Sequence, residues 1–390
     1  METHLQSLLN PQVKDIQLSG IRRLFNLIPN YPGALSLTIG QPDFPTPAHV
    51  KEAAKRAIDE NQTTYTHNAG TIELRRAASA FVEQRYGLTY RPEDEIITTN
   101  GVSEAIDIVL RTVLEPGYDV VLPGPVYPAY DPLIRLMGCR PLYVDTRDSG
   151  FVLTAEKLKG ALTDRTRCVI LPYPSNPTGC VVPAEELAAI ADVLRNREVF
   201  IISDEIYSEL VYEGGHHSIA TLPGMRNQTI VVNGLSKSHA MTGWRIGFTF
   251  APKYISEQLL KVHQYNATCA SSVSQAAAVE ALTNGINDAE EMRLVYRHRR
   301  DYVCNRLEQM GLAVTHPSGA FYVFPSISQF GLTSWDFATR MLAESLVAVV
   351  PGSAFSQTGE GHIRISFASS METLEEGLNR IERFVKSLNG

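Results

Sequence analysis

Four short segments of this 390-residue sequence place a residue capable of chemistry directly after an apolar run. The first is Thr98-Thr99-Asn100-Gly101-Val102-Ser103-Glu104, where a strand pattern gives way to a helical one. Unpaired N–H groups and the dipole at a helix start attract phosphate. Gly101 permits close approach of the backbone, and Ser103 adds a hydroxyl. A plain capped loop would use the same residues. The second is Tyr173-Pro174-Ser175-Asn176-Pro177-Thr178-Gly179. Two prolines, an Asn and a Gly are ordinary turn chemistry, and an X-Pro bond here is a candidate for cis geometry. Its functional reading has the Asn176 amide donating to an oxygen on a ring ligand.

The third segment is Ile201-Ile202-Ser203-Asp204-Glu205-Ile206-Tyr207. A carboxylate at the end of an apolar strand is partly desolvated and needs a partner. A protonated ring nitrogen would serve, each charge stabilising the other. Asp204 is equally suited to capping the next segment. Tyr207, three residues on, shares its face if the chain turns helical. The fourth runs from Val232 through Lys237 to Arg245, across a loop of small residues. A lone Lys is usually a solvated surface charge. A desolvated Lys near another cation has a depressed pKa and becomes an amine nucleophile. Arg245 supplies fixed positive charge for a phosphate.

Together these give a phosphate cradle (Gly101, Val102, Ser103, Arg245), an amine (Lys237), a carboxylate (Asp204) and two ring-oxygen donors (Asn176, Tyr207). Pyridoxal 5′-phosphate requires all of them, having an aldehyde, a pyridine nitrogen, a phenolic oxygen and a phosphate. A carboxylate on the pyridine nitrogen keeps such a ring an electron sink.

The elements that must hold these residues are legible as alternating patterns. Apolar runs at Glu95–Thr98, Asp119–Leu122, Arg167–Leu171, Val199–Ile202, Thr229–Val232 and Arg245–Phe250 read as strands buried on both faces, as in a parallel sheet. Val102, Ile106, Val109 and Val113 form a helical stripe between the first two. Alternating strands and helices predict an α/β layer architecture with ligands beyond the carboxyl ends of the strands. The last hundred residues read as a smaller α+β unit. His362–Ala368 alternates as a half-buried strand, and Ser369 and Glu372 have capping-box spacing. The following helix carries Leu374, Leu378, Ile381, Val385 and Leu388 on one side. The proline-rich N-terminal arm is expected to pack on this unit. We divide the chain into an arm with part of the small domain (residues 1–45), a large domain (46–290) and a small C-terminal domain (291–390).

Composition narrows the class. Apolar residues make up 44% and charged residues 20%, as in ordinary globular proteins. A net charge of −7 argues against a nucleic-acid partner or an anionic membrane surface. Five widely spaced cysteines without a C-x-x-C fit a reducing cytoplasm. No run reaches the roughly 20 apolar residues of a membrane span. His216, His217 and His239 lack metal-ligand spacing with any Cys or carboxylate cluster, so no metal is expected. With an acidic chain and motifs from Gly40 onward, no added basic DNA-binding domain is expected.

SNPTG, SDEIYSEL, GLSKSHAMTGWRIG and GHIRISFA, in this order, resemble the class I aminotransferases of the fold-type-I pyridoxal-phosphate family. SGIRRLFNL, LTIGQPDFPTP, PGPVYPAY, LPYPSNPTG, KVHQYNATCASSVSQ and PSGAFYVFP are similar to a Bacillus-like branch, the aminotransferase A or N-acetyl-LL-diaminopimelate aminotransferases of lysine biosynthesis. The resemblance implies an aspartate aminotransferase-like fold: a large domain with a mostly parallel central sheet plus a smaller α+β domain. It implies that Lys237 attaches the cofactor, Asp204 meets the pyridine nitrogen, and Asn176 and Tyr207 donate to the ring oxygen. Tyr127 would stack on the ring. Gly101, Val102, Ser103 and Arg245 would hold the phosphate, and Tyr65 would reach the phosphate of a neighbouring subunit. Arg364 and Gly40 would bind the substrate α-carboxylate. Many relatives carry Ser three residues before the lysine; here Gly234 stands there, and Ser236 is the substitute donor.

The implied activity is transfer of an amino group from an L-amino acid to 2-oxoglutarate by a ping-pong route in a cytoplasmic homodimer with shared active sites. N-acetyl-LL-2,6-diaminopimelate is the implied donor. Aromatic or broad-specificity transamination and C–S β-elimination stay open. Specificity is expected from Ile21, Arg22, Arg23, Phe25, Tyr127 and loops of the partner subunit. Either Arg22 or Arg23 would pair with a distal carboxylate, or both are solvated.

Overall fold

The apolar runs do become strands of one sheet. In a computed structural model describing residues 2–389, they are β1 (Ile96–Thr99), β2 (Asp119–Gly124), β3 (Arg140–Asp145), β4 (Thr166–Leu171), β5 (Phe200–Asp204), β6 (Thr229–Gly234) and β7 (Gly247–Phe250). Their order is β1-β7-β6-β5-β4-β2-β3. Both faces are covered, as unbroken hydrophobicity requires. Val120, Leu122, Ile202, Ile230 and Val232 enter one core. Their neighbours Val121 and Ile201 enter a second, and Val231 and Phe248 a third. Helix Val102–Val113 buries Ile106, Val109 and Val113 on the first of these faces.

Several sequence expectations need correction. The edge strand β3 went unread, because it pairs with β2 alone and its residues alternate between exposed and buried instead of forming an apolar run. The strand expected from Arg245 starts at Gly247; Arg245 occupies a turn at φ +56°. β7 is also antiparallel to both neighbours, pairing Gly247 with Thr99 of β1 and with Gly234 of β6. That reversal puts the start of β7 at the edge where the parallel strands end.

The remainder builds a second layer. Val350–Pro351, Ile363–Ser366 and Tyr322–Val323 form an antiparallel sheet with Ile363–Ser366 in the middle. That strand is buried throughout, not half-buried. Ile363 and Ile365 join a core with Phe337, Leu374, Leu378, Ile381 and Val385, while Leu388 packs at its edge. The helix Met371–Asn389 is capped by Ser370, not Ser369: its Oγ accepts from the Thr373 amide at 3.2 Å. From the N-terminal arm, Leu35–Ser36 pairs in parallel with Val347–Ala348. Among the described residues no helix is long and apolar enough to cross a membrane.

Candidate active site

A cavity of about 640 Å³ opens where the strand ends gather, with walls from the arm, the central sheet and the strand Ile363–Ser366. It is lined by Gly40, Val102, Ser103, Tyr127, Asn176, Asp204, Tyr207, Ser236, Lys237, Arg245 and Arg364. Residues from seven separate stretches of sequence therefore meet in one space, which is the convergence the strand-end rule predicts.

One end of the cavity is a glycine-built cradle. Gly101 has φ +80°, a left-handed conformation that a side chain disfavours, and a Cβ there would strike the Arg245 guanidinium. A Cβ on Gly247 would lie 2.6 Å from the Val102 amide nitrogen, so only glycine lets β7 pass beneath this loop. Gly234 is constrained likewise: its Cβ would sit 2.7 Å from the Ile246 carbonyl oxygen. A serine at 234 has no room without backbone movement, and Ser236 instead lines the cavity. Arg245 donates to the Thr242 carbonyl at 3.0 Å and to the Asn100 carbonyl at 3.3 Å, holding its charge beside the start of helix Val102–Val113. Glu104 fixes the loop from behind. Its Oε2 accepts from the backbone N–H (2.5 Å) and side-chain Nδ2 (2.9 Å) of Asn100, and its Oε1 lies 2.8 Å from His263.

The middle of the cavity holds an amine facing a carboxylate. Lys237 sits on the one-turn helix Leu235–Ser238 after β6, and Nζ donates to the Gly40 carbonyl at 2.6 Å. Burial, then the charges of Arg364 and Arg245, lowers its pKa to about 8, with Asp204 opposing. Asp204 ends β5. Burial raises its pKa to about 6 against the hydrogen bond from Tyr130, whose hydroxyl donates to Oδ2 at 2.6 Å. Its Oδ1 accepts from the Ile206 amide at 3.2 Å, the short-range turn that suited it to a capping role. Tyr130 also meets Tyr127 edge-on, with ring centroids 5.7 Å apart.

The far end is an arginine held in place. Arg364 is buried, donating to Asn176 Oδ1 at 2.8 Å and to the Thr38 carbonyl at 2.7 Å. Among the described residues its buried Nε has no hydrogen-bond partner. The guanidinium lies 4.3 Å from the centroid of the Tyr322 ring. Tyr322 and Tyr207 share a hydrogen bond of 2.9 Å, and burial followed by Tyr322 pushes the Tyr207 phenol far above its usual pKa, so it stays protonated. The Tyr173–Pro174 and Asn176–Pro177 bonds are both cis.

Sequence reasoning missed Tyr130 and Tyr322. Both lie within stretches already notable for resemblance, GPVYPAY and PSGAFYVFP, but only folding reveals what their hydroxyls touch. Other expected residues lie elsewhere. Tyr65 is 85% exposed and does not line this chain's own cavity. From helix Gly20–Phe25, Ile21 and Phe25 reach the cavity. Arg22 is exposed, and Arg23 stacks on Trp335 at 4.4 Å, away from it. His216 pairs with Glu205 at 2.8 Å, and His239 bridges Ser238 and the Gly285 carbonyl.

The model of the aminotransferase class I and II family matches residues 32–381. A Bacillus subtilis (strain 168) protein named "Probable N-acetyl-LL-diaminopimelate aminotransferase" is 58% identical over 381 residues, covering 98% of this chain and 96% of that protein. An aromatic aminotransferase structure from Pyrococcus horikoshii OT3 superposes with a TM-score of 0.89 at 43% identity, covering 93% of this chain and 99% of that one. The aspartate aminotransferase of Thermus thermophilus with maleate gives a TM-score of 0.91 at 36% identity, covering 96% and 99%.

Proposed function

Since the chain belongs to the class I and II aminotransferases, enzymes dependent on pyridoxal phosphate, we propose that Lys237, Asp204, Arg364 and the cradle at Gly101 carry that reaction here. The observation behind this is the meeting of amine, carboxylate and anion-binding ends in one cavity. Pyridoxal phosphate suits the residues present. The Gly101–Ser103 amides, Ser236 and Arg245 would hold its phosphate, Asp204 its pyridine nitrogen, Asn176 and Tyr207 its phenolic oxygen, and Tyr127 its ring face. When bound, it supplies an aldehyde for the amine and a cationic ring that withdraws electrons from the substrate Cα.

The chain's own part follows from its charges. Lys237, with a pKa near 8, offers a usable fraction of neutral amine at neutral pH. In its neutral form Nζ would take the proton from the substrate Cα. Arg364, whose side chain lines the cavity, would clamp the α-carboxylate with its guanidinium. That clamp orients the Cα–H bond toward Lys237, and orientation of this kind is worth several orders of magnitude in rate. Asp204 maintains negative charge where the ring becomes cationic. One cavity serving donor and acceptor in turn gives ping-pong kinetics with 2-oxoglutarate as second substrate.

N-acetyl-LL-2,6-diaminopimelate is the donor we favour, on the 58% identity to the Bacillus subtilis relative of that name. Transamination of aromatic amino acids is the second reading. It is favoured by the apolar wall of Ile21 and Phe25 and by the absence of Arg22 and Arg23 from the lining. The enzyme would work as a cytoplasmic homodimer in which Tyr65, exposed on this chain, enters the partner's cavity. Following the visible band of the bound cofactor while single amino acids are added tests both readings. A response to the acetylated diamino acid and none to tyrosine or phenylalanine supports the first; the reverse supports the second.

A further inference from the structure

We propose that Tyr130 is a positioning residue for this site, holding Asp204 ionised and aimed through a hydroxyl-to-carboxylate hydrogen bond while its ring sets the tilt of Tyr127. The inference rests on the reading that Asp204 meets the pyridine nitrogen. Tyr130 opens the helix Tyr130–Leu136, just after the stacking residue, and is 1% exposed. Its hydroxyl donates to Asp204 Oδ2 at 2.6 Å, the length of a strong bond to an anion. The two residues are 74 positions apart, so the contact is a product of folding and not of local turn geometry. The same ring stands at 88° to Tyr127. One side chain thus touches both groups that would grip the cofactor ring, from its edge and from its face.

The electrostatic argument runs through the burial of Asp204. Desolvation lifts the pKa of this carboxyl, and the charge of Glu205 beside it lifts it further. Tyr130, the Ile206 amide and Lys237 pull it down. Tyr207 also faces Asp204 and, staying protonated, adds no charge. With the balance at about 6, removal of the Tyr130 donor moves the carboxyl toward neutrality, where a larger share is protonated. A protonated Asp204 no longer favours a protonated ring.

The test is Tyr130→Phe in the loaded enzyme, with Asp204→Asn and the double variant beside it. Phe keeps the ring against Tyr127 and deletes one oxygen, so the packing survives. Expected are an approximately tenfold slower half-reaction, consistent with loss of one hydrogen bond to a charged group, and faster release of the cofactor on dilution. The acid limb of the pH profile should move to higher pH, because the lost bond favoured the ionised form. The double variant should be no slower than Asp204→Asn alone. Tyr130→Phe with the wild-type rate and acid limb overturns the proposal. So does a double variant in which the two losses multiply, since Tyr130 would then act independently of Asp204. If Asp204→Asn itself reacts at the wild-type rate, the reading of Asp204 fails first and the proposal falls with it.

Discussion

The ammonium of Lys237 rests 2.6 Å from the carbonyl oxygen of Gly40, joining the helix that follows β6 to the N-terminal arm. This contact holds the amine inside a cavity that also contains Arg364, Arg245 and Asp204. Burial, and then two nearby cations, explain why the amine loses its proton more easily than an ordinary lysine.

Capture of pyridoxal phosphate by cofactor-free protein should follow the neutral form of that amine. The depressed pKa of about 8 sets the sign: the rate rises as pH climbs toward 8 and levels off above it. Stopped-flow absorbance from pH 6 to beyond the free-lysine pKa measures it. An inflection near the free-lysine value of roughly 10.4 would contradict the electrostatics. Lys237→Ala should show no covalent band and lose turnover by several orders of magnitude.

Asp204→Ala should slow the half-reaction by about 10²–10³-fold, the usual cost of deleting a preorganised electrostatic contact in a water-poor site. Single-turnover kinetics with a saturating amino acid separates this from weaker substrate binding. A change confined to KM would argue that Asp204 acts elsewhere.

Arg364→Lys should raise KM for the amino acid by about tenfold or more and lower kcat as well. A lysine keeps the charge but loses the planar fork. It also abandons the bonds to Asn176 and Thr38. Steady-state kinetics with both substrates checks this, and both KM values should rise because donor and acceptor each carry an α-carboxylate.

Gly234→Ser should destabilise the fold by about 1–3 kcal/mol, as overpacking against backbone commonly does, since the new Cβ meets the Ile246 carbonyl at 2.7 Å. Thermal unfolding of the cofactor-free protein reads this directly. A variant as stable as wild type with tighter cofactor binding would mean that β6 and β7 part more readily than their pairing implies.

Replacing Arg22 and Arg23 together by Ala should leave KM for the donor within about twofold. Neither side chain lines the cavity, and Arg23 is engaged with Trp335. Phe25→Ala removes a wall of the cavity and should shift preference among donors of different bulk. Competition assays with paired donors measure both.

Legibility in the sequence followed a physical rule. Strands covered on both faces were readable because burial on both sides demands continuous apolar runs, as in Val120–Leu122 and Ile230–Val232. The edge strand Arg140–Asp145 was not, because its pattern mixes exposed and buried positions. Arg364 stands out in the sequence, but the alternation around it reads as half-buried; in the fold Arg364 lines a cavity and the strand is buried throughout. The contacts of Tyr130 with Asp204 and of Tyr322 with Tyr207 were beyond reach, since nothing in a tyrosine's sequence neighbours reveals which distant hydroxyl or carboxylate it meets. The cap of the last helix is Ser370, one position beyond the residue that the spacing marks, because helix ends fray by a residue or two.

The bond from Arg364 to the Thr38 carbonyl spans 326 positions. A nascent chain therefore cannot assemble this end of the pocket until Arg364 has been synthesised and has left the ribosome. Completion of the substrate-carboxylate end thus becomes a late event in biogenesis, reporting that the arm and the strand Ile363–Ser366 have met.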